Sequence, residues 1–371
     1  MANRPVVIIH FQPLEWYPPV VNLLRLIAQE HKDRKVIVYT TRPPGDLFVT
    51  TGKNIIIRRL APLSQKMGAM TRYAAYLSFY WRCSFSLLLL QPSSLLYFET
   101  LSSFPAWVYK KLSGRRSRLL IHYHEYTSPA EYASGMRLGR YFHKKEEALY
   151  PLADWISHTN ADRMDRFLRD EGLPVNAVQK ILPNYPPRQW LRAASHQPGR
   201  PLRIVYVGAL SLDTMYAREF AQWVLDRKGE VVWHIYTSNS TEEAQSFFNE
   251  LRDEHVRLFP PIPYERLPEV LDNYDVGIIL YKGHILNYVY NAPNKLFEYL
   301  ACGLDVWFPD VMKGCDRYIT SGTYPRVSSV DFLHLDKLDL ERMTDREGYR
   351  YQPPVFFYEE VLPELVDRLF K

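Results

Sequence analysis

The sequence predicts an α/β protein of two consecutive domains, each a doubly wound parallel sheet. Three observations carry that reading. The chain has 371 residues, 47% of them hydrophobic, more than one core of ordinary size accommodates and enough for two. Short β-branched runs alternate with amphipathic stretches along nearly the whole chain, the pattern of parallel strands joined by crossover helices. The alternation breaks once, over Leu182-Pro183-Asn184-Tyr185-Pro186-Pro187 and Ser195-His196-Gln197-Pro198-Gly199. These turn-rich segments read as a linker, which places domains at 1–190 and 200–355 and a C-terminal helix at 356–371.

In the first domain strands are expected at Val6–Phe11, Lys35–Thr41, Ile55–Leu60, Leu95–Glu99, Leu119–Tyr123 and Trp155–Thr159, each a compact apolar run bounded by polar or turn residues. Helices are expected at Pro18–Gln29, where Pro18 and Pro19 suit a first turn, and at Arg140–Leu149 and Ala161–Asp170. A further helix has Arg72, Tyr76, Phe79 and Arg82 on one face and Met70, Ala74, Leu77 and Trp81 on another that packs inward. In the second domain the alternation gives strand Leu202–Val207, helix Tyr216–Asp226, strand Val231–Tyr236, helix Thr241–Arg252 and strand Val256–Phe259. Helix Tyr264–Asn273, strand Val276–Tyr281, helix Asn294–Ala301 and strand Val306–Phe308 follow, and Tyr358–Phe370 is the last helix. Ligands of such sheets bind beyond the carboxyl ends of the strands.

Several function classes drop out. No GxGxxG follows a strand, and there is no GxxxxGK[ST], HExxH or GxSxG, which argues against dinucleotide oxidoreduction, P-loop chemistry, zinc peptidases and serine hydrolases. No cofactor and no metal site are expected. Three cysteines (Cys83, Cys302, Cys315), widely spaced and without a CxxC pair, suit a reducing compartment. The N-terminus offers only the short apolar run Val6–Ile9, no secretory pattern, and no window reaches the roughly 18 apolar residues of a membrane span. A cytoplasmic protein is expected.

The net charge of +5 hides an asymmetry. Residues 1–199 hold 27 Lys/Arg against 14 Asp/Glu, the remainder 19 against 27, and no acidic residue occurs between Asp46 and Glu99. Lys53, Arg58, Arg59, Lys66, Arg72 and Arg82 all fall there. A basic half implies an anionic partner. No nucleic-acid module is recognisable, so nucleic acid is not expected; a phosphorylated substrate or an anionic membrane surface on the inner face, met through the first domain, stays open, with a solvated basic helix as the plain alternative.

The informative segment is Tyr290-Asn291-Ala292-Pro293-Asn294-Lys295-Leu296-Phe297-Glu298-Tyr299-Leu300-Ala301-Cys302-Gly303. Pro293 leads into a helix, Asn294 suits its N-cap, and Gly303 suits its C-terminal stop. Free N–H groups and the positive dipole end make such an N-terminus a site for a diphosphate. Lys295 in the first turn opposes that dipole, which is unfavourable unless an anion sits there. Glu298, one turn on, can accept hydrogen bonds from sugar hydroxyls. An ordinary capped surface helix is the plain alternative. A second set, His122-Tyr123-His124-Glu125, ends a strand, with both histidines on one face. One of them is expected to serve the ligand site, and zinc ligation is the rival, though two histidines make a poor site. In the loop after the first strand, Trp16 and Tyr17 either stack on a sugar or pack.

The segment from Pro293 to Gly303 resembles the donor-site signature of GT-B glycosyltransferases, especially family 4 and its relatives. Tyr206-Val207-Gly208-Ala209-Leu210 resembles the first strand and turn of their donor domain, and Asn273-Tyr274-Asp275-Val276-Gly277 the strand that leads to the donor loop. Leu152-Ala153-Asp154-Trp155-Ile156 and Ile181-Leu182-Pro183-Asn184 resemble the last acceptor-domain strand and the linker. The resemblance implies two Rossmann-like domains facing across a cleft, the last helix crossing back to the first. It implies a retaining, metal-independent hexosyltransferase that uses a nucleotide-sugar donor and a saccharide or lipid-linked acceptor in surface polysaccharide or glycan synthesis. Glu298 would bind the nucleotide ribose; Gly208, Asn291 and Asn294 would line the donor loop; His122, His124 and Glu125 would stand near the acceptor hydroxyl. Tyr290 replaces a glutamate frequent in the family, and Leu210 and Thr214 replace an Arg and a Lys, so Lys295, Lys282 or Arg218 would supply positive charge. A sugar-nucleotide epimerase and a catalytically silent sugar-binding scaffold are the competing readings.

Overall fold

The computed structural model describes residues 4–43, 49, 51–62, 68–114, 117–193, 198–237 and 239–371. The linker residues Ser195, His196 and Gln197, and Lys66 and Asp46 of the basic stretch, lie outside the described residues. The chain forms two compact units, Met1–Asn184 with Tyr358–Lys371, and Tyr185–Phe357.

The first unit follows the order β1 (Val6–His10), α1 (Pro18–Glu30), β2 (Val36–Arg42), β3 (Ile55–Pro62), α2 (Ala69–Leu90), β4 (Ser94–Phe98), α3 (Ser103–Ser113) and β5 (Arg118–Tyr123). Then come α4 (Pro129–Ser134), α5 (Arg137–Glu146), β6 (Trp155–His158), α6 (Ala161–Asp170) and β7 (Gln179–Ile181). All seven strands are parallel, in the order 3-2-1-4-5-6-7. Alternate strand residues feed two cores: Val7, Ile9, Tyr97 and Ile121 pack on Phe79 and Phe142, while Val6, Ile8 and Leu96 pack on Leu24 and Ile27. The C-terminal helix Tyr358–Phe370 buries Leu362, Leu365, Val366 and Leu369 in the second of these cores.

The second unit runs β8 (Leu202–Val207), α7 (Ala217–Asp226), β9 (Val231–Tyr236), α8 (Glu242–Leu251), β10 (Val256–Phe259), α9 (Leu267–Leu271), β11 (Val276–Ile278), α10 (Leu286–Val289) and α11 (Asn294–Ala301). It ends with β12 (Asp305–Pro309), β13 (Thr323–Tyr324), β14 (Val327–Val330), α12 (Leu340–Thr344) and β15 (Arg350–Tyr351). Its main sheet has the order 10-9-8-11-12-14. In both sheets the order reverses beside the first strand of the unit, the place where doubly wound sheets open a crevice.

One device recurs where strands begin. Asp154 Oδ2 accepts the N–H of Leu119 at 2.9 Å, Asp275 Oδ2 that of Arg203 at 2.8 Å, and Asp305 Oδ1 that of Arg326 at 2.7 Å. Each buried or half-buried carboxylate pins the start of a neighbouring strand, a charge-assisted bond stronger than an ordinary backbone pair.

Several expectations need correction: the strand expected at Val276–Tyr281 stops at Ile278, and the helix expected at Arg140–Leu149 runs from Arg137 to Glu146. The expected strand Leu95–Glu99 ends at Phe98, because Glu99 turns to φ +62°. On α2 the expected inward residues face outward: Met70, Leu77 and Trp81 are exposed, whereas Phe79 is fully buried beside Tyr80, Cys83 and Leu87.

Candidate active site

In the second unit, α11 is set by local chemistry. Pro293 takes the N-cap position with φ −69°, and Asn294 is the first helical residue rather than the expected cap, since its Nδ2 donates to Glu298 Oε1 at 3.1 Å. Gly303 (φ +79°) ends the helix: its N–H donates to Leu300 O and that of Leu304 to Tyr299 O, both at 3.0 Å, a Schellman closure. The helix packs against β11 and β12 with Leu296, Phe297, Tyr299 and Leu300 in the core.

That placement buries two charged side chains, Lys295 at 9% and Glu298 at 7% exposure. Lys295 Nζ stands 5.2 Å from the ring centre of Tyr206 and 5.3 Å from that of Tyr281, and donates to Tyr281 Oη at 3.4 Å. Tyr206 spends its own hydroxyl on Ala209 O at 2.6 Å, so its ring face remains for the ammonium. Gly208, just past β8, takes φ +143°, a conformation that side chains rarely adopt, and a Cβ there would crowd Lys295 Nζ at 3.2 Å. Burial works against the Lys295 charge, but Tyr206, Tyr281 and Glu298 hold its pKa above the usual lysine value. Burial pushes the Glu298 carboxyl up to about 7, against the downward pull of Lys295 and of the Asn294 amide. The pair can neutralise an anion while offering an acceptor to hydroxyl groups.

The other candidate cations have other partners. Lys282 Nζ pairs with Glu219 at 2.9 Å and donates to Leu212 O at 3.2 Å. Arg218 pairs with Glu243 at 3.1 Å and lies over the Phe247 ring. Asn291 gives its carbonyl to the Cys315 thiol at 3.3 Å.

In the first unit a cavity of roughly 260 Å³ opens beyond β1 and β4, lined by His10, Tyr17, Glu99, Glu125, Tyr132 and Arg140 among others. The sequence marks Glu99 only as the end of a strand. Its φ of +62° costs a non-glycine residue about 1–3 kcal/mol, and such strain tends to mark functional positions. The conformation lets Glu99 Oε1 accept the N–H groups of His124 at 2.6 Å and Glu125 at 3.2 Å. Burial, then the charge of Glu125, raises the Glu99 carboxyl to about 8 although those two N–H groups oppose it. Glu99 therefore carries its proton near neutrality. The only sequence signal is a lone acid after an apolar strand.

His122 and His124 do share a side of the strand end, their ring centres 4.6 Å apart, but neither lines the cavity. His122 Nδ1 is bonded to Ser157 Oγ at 2.8 Å, beside the Trp155 N–H on the same oxygen. His124 stacks on Phe98 and donates from Nδ1 to Asn184 Oδ1 at 3.1 Å. Burial lowers all three histidines here, His122 to about 3, His10 to about 4 and His124 well below its usual value, so each is neutral. Of the aromatic loop pair, Tyr17 faces the cavity against His10 and His124, while Trp16 is exposed and does not line it. Among the described residues, the metal-ligand spacing occurs at His143, Glu147 and Glu171 rather than at His122 and His124.

No protein-family model matches the chain, and no curated protein matches it in sequence. Solved structures match along its length. The sucrose-phosphate synthase of Thermosynechococcus elongatus covers 99% of this chain and 95% of its own at 13% identity, with a TM-score of 0.68. Anabaena HepE in complex with UDP and glucose covers 99% and 96% at 10% identity, TM-score 0.64. The lipopolysaccharide outer core galactosyltransferase WaaB in its apo form covers 98% and 95% at 14% identity, TM-score 0.59. This is the GT-B fold. In the GT-B chain, Gly208 and Tyr281 follow β8 and β11, the adjacent strands at which the second sheet reverses its order.

Proposed function

We propose that the chain is a glycosyltransferase that moves a sugar from a nucleotide-sugar donor to a saccharide or lipid-linked acceptor. The observation that carries this reading is the buried Lys295 ammonium in the first turn of α11, given room by Gly208 and followed one turn later by Glu298. A cation buried at the positive end of a helix is costly by itself and becomes favourable once an anion binds. A nucleoside diphosphate supplies that anion and a ribose for Glu298. Neighbours of this fold support the class: one is named a galactosyltransferase and another was solved with UDP and glucose.

In this reading Lys295 and the α11 amides stabilise charge that grows on the departing diphosphate. Donor chemistry then needs no metal. Asn291 and Asn294 flank the diphosphate, and the donor is a hexosyl nucleotide. Transfer proceeds with retention, the departing diphosphate taking the proton of the acceptor hydroxyl on the same face. The cavity of the first unit receives the acceptor: Glu99, Glu125 and Tyr17 touch it, while His122 and His124 position these groups from beneath. Three cysteines that form no disulfide support work in the reducing cytoplasm, and surface polysaccharide or glycan synthesis is the setting.

The test is a panel of UDP-, GDP- and ADP-sugars incubated with the purified chain, with and without short saccharide and lipid-linked acceptors. Acceptor-dependent release of nucleotide, with slow hydrolysis in its absence, is expected for one donor. Interconversion of the sugar nucleotide without acceptor would replace the reading by an epimerase, and binding without turnover by a silent scaffold.

A further inference from the structure

The 22-residue helix α2 is apolar on two sides. Its inner side, Phe79, Tyr80, Cys83 and Leu87, covers the sheet. Its outer side carries Met70, Tyr73, Leu77, Trp81, Phe85 and Leu89, all exposed, Met70 to 85% and Trp81 to 74%. The spacing of three and then four residues keeps these six on one stripe, which at 1.5 Å per residue runs for about 30 Å. Soluble proteins seldom leave so continuous an apolar strip in water.

The surroundings of the stripe identify what covers it. Helix α3 packs on α2, and α5 packs on α3. Together the three helices contain eight Lys and Arg and a single acid, Glu146, which is fully buried. Arg72, Arg82, Lys111, Arg137 and Lys144 are exposed there. Tyr73 and Trp81 are amphipathic side chains of the kind that settle at a lipid headgroup boundary. No described helix is long and apolar enough to cross a membrane. A second copy of the chain fits poorly, because a two-fold contact would set this cationic face against itself.

We infer that α2 lies in the plane of an anionic bilayer surface, its outer stripe at the boundary between headgroups and acyl chains and the cations of α2, α3 and α5 on lipid headgroups. This goes beyond the sugar chemistry proposed above and does not depend on it. It is the geometry of an interfacial helix, with apolar burial and electrostatic attraction acting together.

Vesicle co-sedimentation of the full chain tests the inference. Binding to phosphatidylcholine vesicles containing phosphatidylglycerol is expected to exceed binding to pure phosphatidylcholine by at least about tenfold, and to fall as salt rises. Trp81→Ser/Phe85→Ser should abolish binding, and Arg72→Glu/Arg82→Glu should weaken its preference for anionic lipid. All four changed positions are exposed, so unaltered circular dichroism is expected and separates lost binding from lost folding. Equal binding to both vesicle types, or none, would overturn the inference. So would light scattering that shows a dimer which Trp81→Ser/Phe85→Ser dissociates, since the stripe would then belong to a second copy.

Discussion

Replacing Glu298 by glutamine is expected to stabilise the protein at alkaline pH and to weaken nucleotide binding at the same time. The carboxyl is 7% exposed and its pKa rises from 4.5 to about 7, through burial first, with Lys295 and Asn294 opposing. Because the folded value exceeds the unfolded one, the protonated side chain favours folding. That contribution is complete below about pH 4.5 and is lost as the pH rises through about 7. At about 1.4 kcal/mol per pH unit, the interval corresponds to about 3 kcal/mol. Glutamine cannot ionise and retains an oxygen for the Asn294 amide. Its stability relative to wild type should therefore rise by roughly 2–3 kcal/mol between about pH 5 and pH 8. Glu99 and Glu171 are also raised, to about 8 and about 7, so wild-type stability alone would mix several groups, and the variant-minus-wild-type difference isolates this one. Urea unfolding of both proteins at the two pH values measures it. A difference that is the same at both values would refute the argument that burial raises the Glu298 pKa. Calorimetric titration with free UDP, GDP and ADP at about pH 8 supplies the second reading: the nucleotide that binds should lose about 1–3 kcal/mol, the worth of a hydrogen bond to a charged acceptor.

Lys295→Met keeps the aliphatic packing against Tyr206 and Tyr281 and removes only the ammonium. Turnover should fall roughly 10²–10³-fold if that charge meets the departing diphosphate, and an unchanged turnover in a folded variant would confine Lys295 to a structural role. Glu99→Gln keeps an oxygen for the His124 and Glu125 N–H groups but cannot ionise. Donor-nucleotide affinity should be untouched, while the limb of the rate–pH profile near pH 8, set by Glu99, should vanish; a limb that persists would assign it to another group.

The sequence by itself determined the elements whose causes are local. Helix α11 starts and stops where Pro293 and Gly303 put it, because a fixed φ and a residue tolerant of positive φ act over a single turn. The alternation of apolar runs and amphipathic segments was enough to predict two parallel sheets with helices on both faces, because each strand buried on two sides must be apolar throughout. The strand order, and with it the meeting of Gly208 with Lys295, came from the tertiary structure. Lys282 and Arg218 show the same division: as sequence they were interchangeable with Lys295, and only packing gave them Glu219 and Glu243 as partners. Periodicity could not orient α2, since a helix apolar on two sides has no preferred face until the sheet covers Phe79 and leaves Trp81 in water. Nor could it reveal Glu99 or mute His122 and His124, because a pKa is set by desolvation and by charges that arrive from distant parts of the chain. Local sterics are written residue by residue, whereas burial and electrostatics belong to neighbours that only the folded chain brings together.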